Sequence, residues 1–219
     1  MPIGLALAGF HSIEFRWNGI AVRSVKYSIV ADRGLDSLSE TEIVARAARG
    51  DEAAFRHLVT KHQSVVAQTV TAMLGAGDDA DDVGQETFIR FLNSLPKFRG
   101  EAGVRTYLTR IAINLSIDAL NRRKRTLGWI RIGSSRESMD IPSRDESGLA
   151  EEHDMQMKVR SAVDALDASS RAVVILRILE ERSVRETADI LGIPEGTVMS
   201  RLKRSMTRLE SQLKSLRPQ

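Results

Sequence analysis

Apolar residues recur every three or four positions over two long stretches of the chain, which is the period of a helix with one buried face. The first stretch begins after Ser39, which has the spacing of an N-terminal capping box with Glu42. It predicts four helices, over about 39–50, 51–75, 79–95 and 104–124. The second stretch predicts four more, over about 155–166, 167–179, 183–191 and from 194 onward. The pattern therefore predicts an all-α protein built from two small helical domains.

The fourth predicted helix has two different faces. Its apolar stripe consists of Val104, Leu108, Ile111, Leu115 and Ala119. A second stripe carries polar groups at Arg110, Asn114, Asp118 and Asn121. We expect the apolar stripe to be buried and the polar stripe to be available to a partner.

Two segments lack a sustained period. Residues 1–36 mix apolar and basic residues with glycines, and we expect a poorly ordered N-terminal extension, or sequence upstream of the true start. Residues 126–154 are rich in glycine, serine and acids, which is typical of a flexible linker, although Trp129 and its apolar neighbours interrupt it. The domains are therefore predicted at 37–125 and 155–219.

Residues 184–203 have the spacing of a helix-turn-helix. A small residue, Ala188, is followed after four residues by Gly192, which suits a left-handed turn, and after six more by Val198, which can pack the second helix on the first. Ile193 stands before Pro194, where a capping serine or threonine would be worth about 1 kcal/mol. The second helix is strongly basic, so we favour DNA binding over a plain helical hairpin.

Composition excludes several classes of function. Hydrophobic residues make up 42% of the 219, enough for real cores, whereas aromatic residues make up only 5%, which disfavours a β-sandwich or barrel. Without cysteine, this chain has no disulfide, cysteine–zinc site, iron–sulfur cluster or thiol catalysis. No apolar run is long enough for a membrane span, and we expect a cytoplasmic protein.

The net charge is only +3, but the charges are unevenly distributed. Residues 98–131 carry eight bases against two acids, and residues 201–217 carry six bases against one acid. Between them, residues 132–154 carry seven acids against two bases. Two basic segments separated by an acidic one indicate a polyanion that is contacted at two places.

Several motifs, taken in order, resemble the extracytoplasmic-function (ECF) group of bacterial sigma factors. The segments are DEAAFRHLVTKH (51–62), DDADDVGQETFIRFL (78–92), FRGEAGVRTYLTRIAINLSIDALNRRKR (98–125) and IPEGTVMSRLKRS (193–205). Tyr107 stands where the family commonly has tryptophan. The resemblance implies a protein that binds RNA polymerase core, through its large clamp subunit and flap, and directs it to promoter DNA without catalysing a covalent change. It also implies regulation by an anti-sigma protein, a stress or envelope regulon, and a cytoplasmic, nucleoid-associated location.

The resemblance assigns the residues of three interfaces. For polymerase binding they are Asp81, Asp82, Gln85 and Glu86, whose negative charge steers association and fixes register. For the −10 element they are Phe98, Arg99, Gly100, Asn114, Asp118, Arg122, Arg123 and Lys124, with the 98–103 loop implied to capture a flipped base and Asn114 to read a base edge. For the −35 element they are Thr197, Met199, Ser200, Arg201, Lys203 and Arg204. We expect Arg201 or Arg204 to read a base, and Lys203 and Arg208 to hold phosphates.

Other functions remain open at this stage. A helix-turn-helix regulator that does not join polymerase core is the main alternative. A response regulator would need an α/β receiver, and residues 40–125 show no strands in their pattern. An enzyme acting on DNA would need a nucleophile or a metal triad, and the four histidines form no such pattern. The carboxylates at 78–86 lack the alternating ligand spacing and loop glycine expected of a magnesium site, so we expect no metal and no cofactor.

Overall fold

The computed structural model describes residues 16–17, 20–21, 35, 37–100, 102–133 and 150–214. Within these ranges the helices are α1 (Glu40–Ala48), α2 (Glu52–Leu74), α3 (Asp78–Ser94), α4 (Val104–Gly133), α5 (Ala150–Asp164), α6 (Ala168–Val174), α7 (Val184–Leu191) and α8 (Glu195–Lys214). A short 3-10 turn, Leu95–Lys97, follows α3, and a π-helical turn, Ile175–Leu179, follows α6. Two short strands, Arg16–Trp17 and Ile20–Ala21, pair in antiparallel fashion. The predicted all-α class is confirmed.

The first helices begin where the sequence predicts. The Ser39 hydroxyl accepts the Glu42 N–H, and the Glu42 carboxylate accepts the Ser39 N–H in return, so the capping box is present. Asp51 caps α2 by accepting the Ala54 N–H at 3.1 Å. Helices α1 to α4 share one core, whose buried side chains include Ile43, Phe55, Leu58, Phe91 and Leu108.

Helix α4 is longer than its pattern predicts. It continues to Gly133, nine residues beyond the expected end at Lys124, because adding a residue to an existing helix gains a hydrogen bond without a new nucleation cost. Its buried side differs as well: Ile111 is half-buried, whereas Ala112 and Ile113 are fully buried. The first residues of the predicted linker belong to α4, and its last residues belong to α5, which starts at Ala150. The middle of the linker, residues 134–149, lies outside the described residues.

Two compact units divide the chain, Met1–Leu115 and Ser116–Gln219, with the border inside α4. The predicted domain limits, 37–125 and 155–219, stay a prediction. Among the residues that the structure describes, none of the helices combines the length and apolarity that a membrane span requires.

The second unit is built around the helix-turn-helix. Asp167 caps α6 by accepting the Ser170 N–H at 3.0 Å, and Ser183 and Glu186 form a second capping box at the start of α7. Gly192 adopts the left-handed conformation, with φ +64°, that ends α7 and turns the chain into α8. Val173, Ala188 and Val198 form one buried cluster. The predicted packing of Ala188 and Val198 is thus confirmed.

Several apolar positions differ from the pattern. Ile193 packs against the Ala188–Val198 cluster, which explains an isoleucine where a capping side chain is expected. The Pro194 carbonyl begins α8 instead, accepting the N–H groups of Thr197 and Val198. On α8, the apolar side chain of Met206 is 43% exposed, whereas the neighbouring polar residue Ser205 is buried.

Leu35, which lies in the predicted N-terminal extension, packs into the described part of the fold. Its side chain is only 4% exposed, and its carbonyl accepts the Leu38 N–H at 3.0 Å, so the ordered fold begins before residue 37. The pattern missed it because a single leucine before a helix has no period to detect.

We expect deletion of residues 1–34 to leave promoter-directed transcription within about twofold, because their sequence has neither a helical period nor a recognised motif. Deletion of residues 1–36 also removes Leu35 and should lower the free energy of unfolding by about 1.5–3 kcal/mol. Urea unfolding of the two truncated chains measures the difference. Equal stabilities would show that Leu35 contributes nothing, and a tenfold loss of transcription in the shorter deletion would reveal a role for the extension.

Candidate polymerase and nucleic-acid interfaces

Helix α3 presents a polar face, here called the acidic face, made of Asp82, Gln85, Glu86 and Ile89. At 100° per residue these positions share one side of the helix. Asp82 is exposed, Gln85 and Glu86 are half-buried, and Ile89 is 52% exposed. Asp81, assigned to the same interface from sequence, lies at the edge of this face and is half-buried. A solvent-facing isoleucine among polar groups is a feature that the charge pattern does not reveal.

The acidic face carries an ion pair that the sequence reasoning missed. Arg90 Nε donates to Glu86 Oε1 at 2.8 Å, one turn along the helix. This pair partly neutralises Glu86, so Asp82 is the more accessible negative charge on the face. Phe88, on the same helix, is 2% exposed and belongs to the core, not to the acidic face. Within the described residues, no group of three or more histidine, aspartate or glutamate side chains could hold a metal ion.

The loop after α3 is anchored by aromatic packing. The Phe98 ring meets Tyr107 edge-on, with centroids 5.0 Å apart, and meets Phe91 at 6.1 Å. Edge-to-face pairs at such distances stabilise by about 0.5–1.5 kcal/mol beyond burial. Phe98 therefore holds the loop in place. Tyr107, the departure from the family's tryptophan, keeps an aromatic ring at this contact.

A cavity of about 340 Å³ lies between this loop and α1. From the loop side it is lined by Leu95, Pro96, Phe98, Arg99, Gly100, Ala102, Gly103 and Val104. From α1 it is lined by Glu40, Thr41, Val44, Ala45 and Ala48. Gly100 has φ +71°, a conformation that L side chains rarely adopt, so a glycine is required here. The α1 wall is absent from the sequence prediction, because a contact across more than fifty residues leaves no local pattern.

Glu40 places a negative charge on the cavity wall. Burial raises the pKa of the Glu40 carboxyl, but the hydrogen bonds and charges of Lys61 and His62 lower it by more, so the pKa lies below its usual value. The Glu40 carboxylate lies 2.9 Å from Lys61 Nζ and 3.2 Å from His62 Nε2. A carboxylate held in this way accepts hydrogen bonds and repels phosphates. Arg99 on the loop side of the same cavity carries the opposite charge, so the lining presents groups of both signs.

The polar side of α4 is available to a partner. Asn114 and Asp118 are exposed and lie one turn apart. All residues from Asn121 to Thr126 are exposed as well. By helix geometry, Arg125 continues the Asn114 side and Arg123 lies on the opposite side, whereas Arg122 and Lys124 each lie about 80° from Asn114, in opposite directions. The assigned −10 residues on α4 are thus divided between two sides of the helix.

The assigned −35 residues lie along α8. Met199, Ser200, Lys203 and Arg204 are exposed, whereas Thr197 and Arg201 are half-buried. Arg204 Nε donates to the Ser200 carbonyl at 3.2 Å, which orients its guanidinium along the helix. Arg201 lies near Asp167. Burial raises the pKa of that carboxyl, but hydrogen bonds from Ser170 and Ser169 lower it by more, and the charge of Arg201 adds to the lowering. Arg204 is therefore the more accessible of the two arginines considered for base reading.

Comparisons with known proteins decide the family. The family models for Sigma-70 region 2 and Sigma-70, region 4 match residues 58–126 and 156–209. The ECF RNA polymerase sigma-E factor of Escherichia coli K12 is 30% identical over 189 residues, which cover 83% of this chain and 97% of the relative. The chain belongs to the ECF RNA polymerase sigma factors. The sigma-E factor of Haemophilus influenzae is 29% identical over 187 residues, which cover 83% of this chain and 98% of that relative.

Solved structures agree with this assignment. CnrH, in a complex with the cytosolic domain of CnrY, matches 80% of this sigma factor with a TM-score of 0.57 and 26% identity. RpoE from Bartonella quintana, in a complex with the anti-sigma factor NepR, shares the fold, with a TM-score of 0.57 over 74% of the chain and 23% identity.

This sigma factor binds RNA polymerase and promoter DNA. The Sigma-70 region 2 match across 58–126 disfavours a helix-turn-helix regulator that does not join the polymerase. Sigma factors as a group are transcription initiation factors, not enzymes.

Proposed function

We propose that the acidic face of α3 is the surface that binds the large clamp subunit of polymerase core. The support is an exposed Asp82 beside half-buried Gln85 and Glu86 on one side of a well-packed helix. Negative charges fixed on a rigid element steer association and set the register of docking. The flap of the polymerase is proposed to contact the second unit.

We propose that the cavity between α1 and the 98–103 loop receives a flipped base of the −10 element. Flipping costs a few kcal/mol of unstacking, which pocket contacts must offset. The supporting observation is a cavity of about 340 Å³, at the lower end of the usual range of about 300–1,000 Å³ for ligand sites. Asn114 reads the edge of a second base, and Asp118, one turn away, orients the Asn114 side chain. Arg122, Arg123 and Lys124 hold phosphates.

Narrowing this cavity tests the role of α1. Ala45 is exposed and lines the cavity, so Ala45→Phe should fill it and lower promoter melting by about tenfold, which corresponds to ~1.4 kcal/mol of lost contact. Permanganate reactivity of unpaired thymines measures melting. Binding to core polymerase should not change, because Ala45 is not on α3.

A matched control separates cavity filling from a general effect of a new aromatic ring. Ala53→Phe makes the same change at an exposed alanine on α2 that does not line the cavity. We expect its melting activity to equal that of the unmodified chain. If both variants melt promoters normally, the cavity takes no base.

We propose that the exposed side of α8 enters the major groove at the −35 element. Arg204 reads a guanine edge, Ser200 contacts an adjacent base, and Met199 meets a thymine methyl group. Thr197 and Lys203 contact the backbone on either side. The supporting observation is that Met199, Ser200, Lys203 and Arg204 are exposed on α8, whereas Val198 of the same helix is buried in the cluster with Val173 and Ala188.

We also propose that this sigma factor acts in the cytoplasm at the nucleoid, catalyses no covalent change, and serves a stress or envelope regulon under an anti-sigma protein. The support for the last point is RpoE of Bartonella quintana, which was solved with an anti-sigma factor. Without cysteine, any redox signal must be sensed by that partner.

The direct test of the proposed function uses the full chain with purified core polymerase. Co-elution with core, together with initiation from specific sites in a genomic fragment library, is the expected result. Co-elution without initiation would separate polymerase binding from promoter recognition, and failure of both would contradict the proposal.

A further inference from the structure

The α1 wall of the cavity beside the 98–103 loop combines a charged group with a largely apolar surface. That wall consists of Glu40, Thr41, Val44, Ala45 and Ala48. Among the described residues that line the cavity, Glu40 is the one that carries a carboxylate. We propose that Glu40 makes the cavity selective for a flipped base with an exocyclic amino group, and thereby disfavours thymine. The inference rests on the proposed function of the cavity, which it extends from capture of a base to choice of the base.

The Glu40 carboxylate is held in place from α2. Its Oε1 atom lies 2.9 Å from Lys61 Nζ and 3.2 Å from His62 Nε2. His62 is only 6% exposed, so this anchor belongs to the packed interior of the unit. The Ser39 cap fixes the backbone of Glu40 at the start of α1. A side chain that is already ordered in this way loses little further conformational entropy when it binds a ligand.

Glu40 keeps acceptor capacity for a base. Burial raises the pKa of its carboxyl, but Lys61 and His62 lower that pKa by more, so the group is ionised at neutral pH. An ionised carboxylate only accepts hydrogen bonds, and its two oxygens offer about four acceptor sites. Both contacts with α2 use Oε1, which leaves Oε2 for a donor in the cavity. The Glu40 side chain is 32% exposed, so a ligand can reach it.

The chemistry of the bases explains the proposed choice. Cytosine, adenine and guanine carry an exocyclic amino group, whereas thymine carries carbonyl oxygens and a methyl group instead. A carboxylate accepts a hydrogen bond from an amino group, as glutamate does from cytosine N4, and is repelled by a carbonyl oxygen that faces it. Arg99, which is exposed on the loop side, supplies donors for an acceptor atom of the same base. The cavity thus suits a base that has both an amino group and an acceptor on its edge.

A purely structural role for Glu40 leads to a different expectation. If its carboxylate only joins α1 to α2, removal of the charge should lower stability without changing the preference for any base. Glu40→Gln separates the two roles, because glutamine has nearly the same size but no charge, and its amide offers donors as well as an acceptor.

The test uses the full chain with core polymerase and forked promoters whose −10 element is already unpaired, so that the strength of base pairing does not contribute. The position that the cavity reads is the one at which Ala45→Phe loses its base preference. At that position, each amino-bearing base is compared with an analogue that lacks the amino group, namely 2-pyrimidinone for cytosine, purine for adenine and hypoxanthine for guanine.

We expect the unmodified protein to bind the preferred base about tenfold more tightly than its analogue or thymine, which is the discrimination that one good polar pair provides. In Glu40→Gln, the two affinities should differ by less than about twofold. Thermal unfolding and helicity show whether each variant is folded, and binding to core polymerase shows whether the complex forms.

Glu42→Gln is the matched control. It makes the same change two residues along α1, at an exposed residue that does not line the cavity. Glutamine can still complete the capping box with Ser39, so the start of the helix is preserved. This variant should keep the tenfold ratio, and an equal loss of the ratio in both variants would contradict a specific role for Glu40.

Two further results would overturn the inference. One is that thymine binds the unmodified protein as tightly as any amino-bearing base at the cavity position. The other is an unchanged ratio in Glu40→Gln, with or without a lower thermal stability, which would leave Glu40 a structural role alone. Both results leave the capture of a base intact. If Ala45→Phe changes the preference at no position of the −10 element, the proposed function of the cavity is itself wrong.

Discussion

Asp82→Arg is expected to weaken binding to RNA polymerase core by about tenfold to a hundredfold. Close charge pairs at protein interfaces have coupling energies of at least about 1.5 kcal/mol, and 1.4 kcal/mol is a factor of ten in Kd. Asp82 is exposed, so its replacement leaves the packing of α3 unchanged. The measurement is the Kd for core polymerase by fluorescence anisotropy of the labelled full chain. Adding Glu86→Arg should increase the loss, although it also places two cations one turn apart beside Arg90.

The control must add the same charge elsewhere. Thr60→Arg combined with Gln63→Arg adds two positive charges, as Asp82→Arg does, at exposed positions on α2. We expect this variant to bind core polymerase normally. An unchanged affinity of Asp82→Arg, with native helicity, would remove the acidic face from the polymerase interface. Equal losses in both variants would indicate a dependence on net charge alone.

Local features of the fold could be predicted because each has a local physical cause. The two capping boxes, at Ser39 and Ser183, satisfy helix N–H groups within a span of four residues. Gly192 was predicted from the need for positive φ, and Ala188 from the need for a small side chain where helices cross. Such features depend on neighbours along the chain, which the sequence displays directly.

Other features depend on contacts that no local pattern records. The wall that α1 contributes to the cavity, and the position of Arg201 beside Asp167, require residues that are distant in sequence to meet. The π-helical turn at Ile175–Leu179 shifts the helical register, and Ile178 and Leu179 are consequently exposed although their pattern is apolar. Sequence reasoning thus predicted the elements well, and it could not predict the surfaces that two elements build together.

Arg204→Ala is expected to relax base preference at one position of the −35 element and to cost about 1–3 kcal/mol there. The structure favours Arg204 over Arg201, because Arg204 is exposed and Arg201 is half-buried near Asp167. A bidentate arginine distinguishes guanine from the other bases, so its removal should flatten the preference at one base pair. Transcription from a promoter library randomised at the −35 element measures the preference at each position.

Lys203→Ala provides the comparison, because it removes an exposed positive charge from the adjacent residue. A lysine that only holds phosphate should, when removed, weaken transcription evenly over the library and lower the salt slope by about one. Arg204→Ala also removes a positive charge from the helix, so it should show both the lower slope and the altered base preference. Even weakening in both variants would mean that Arg204 reads no base. If the unmodified chain and both variants share the same preferences and activities, α8 does not contact the −35 element.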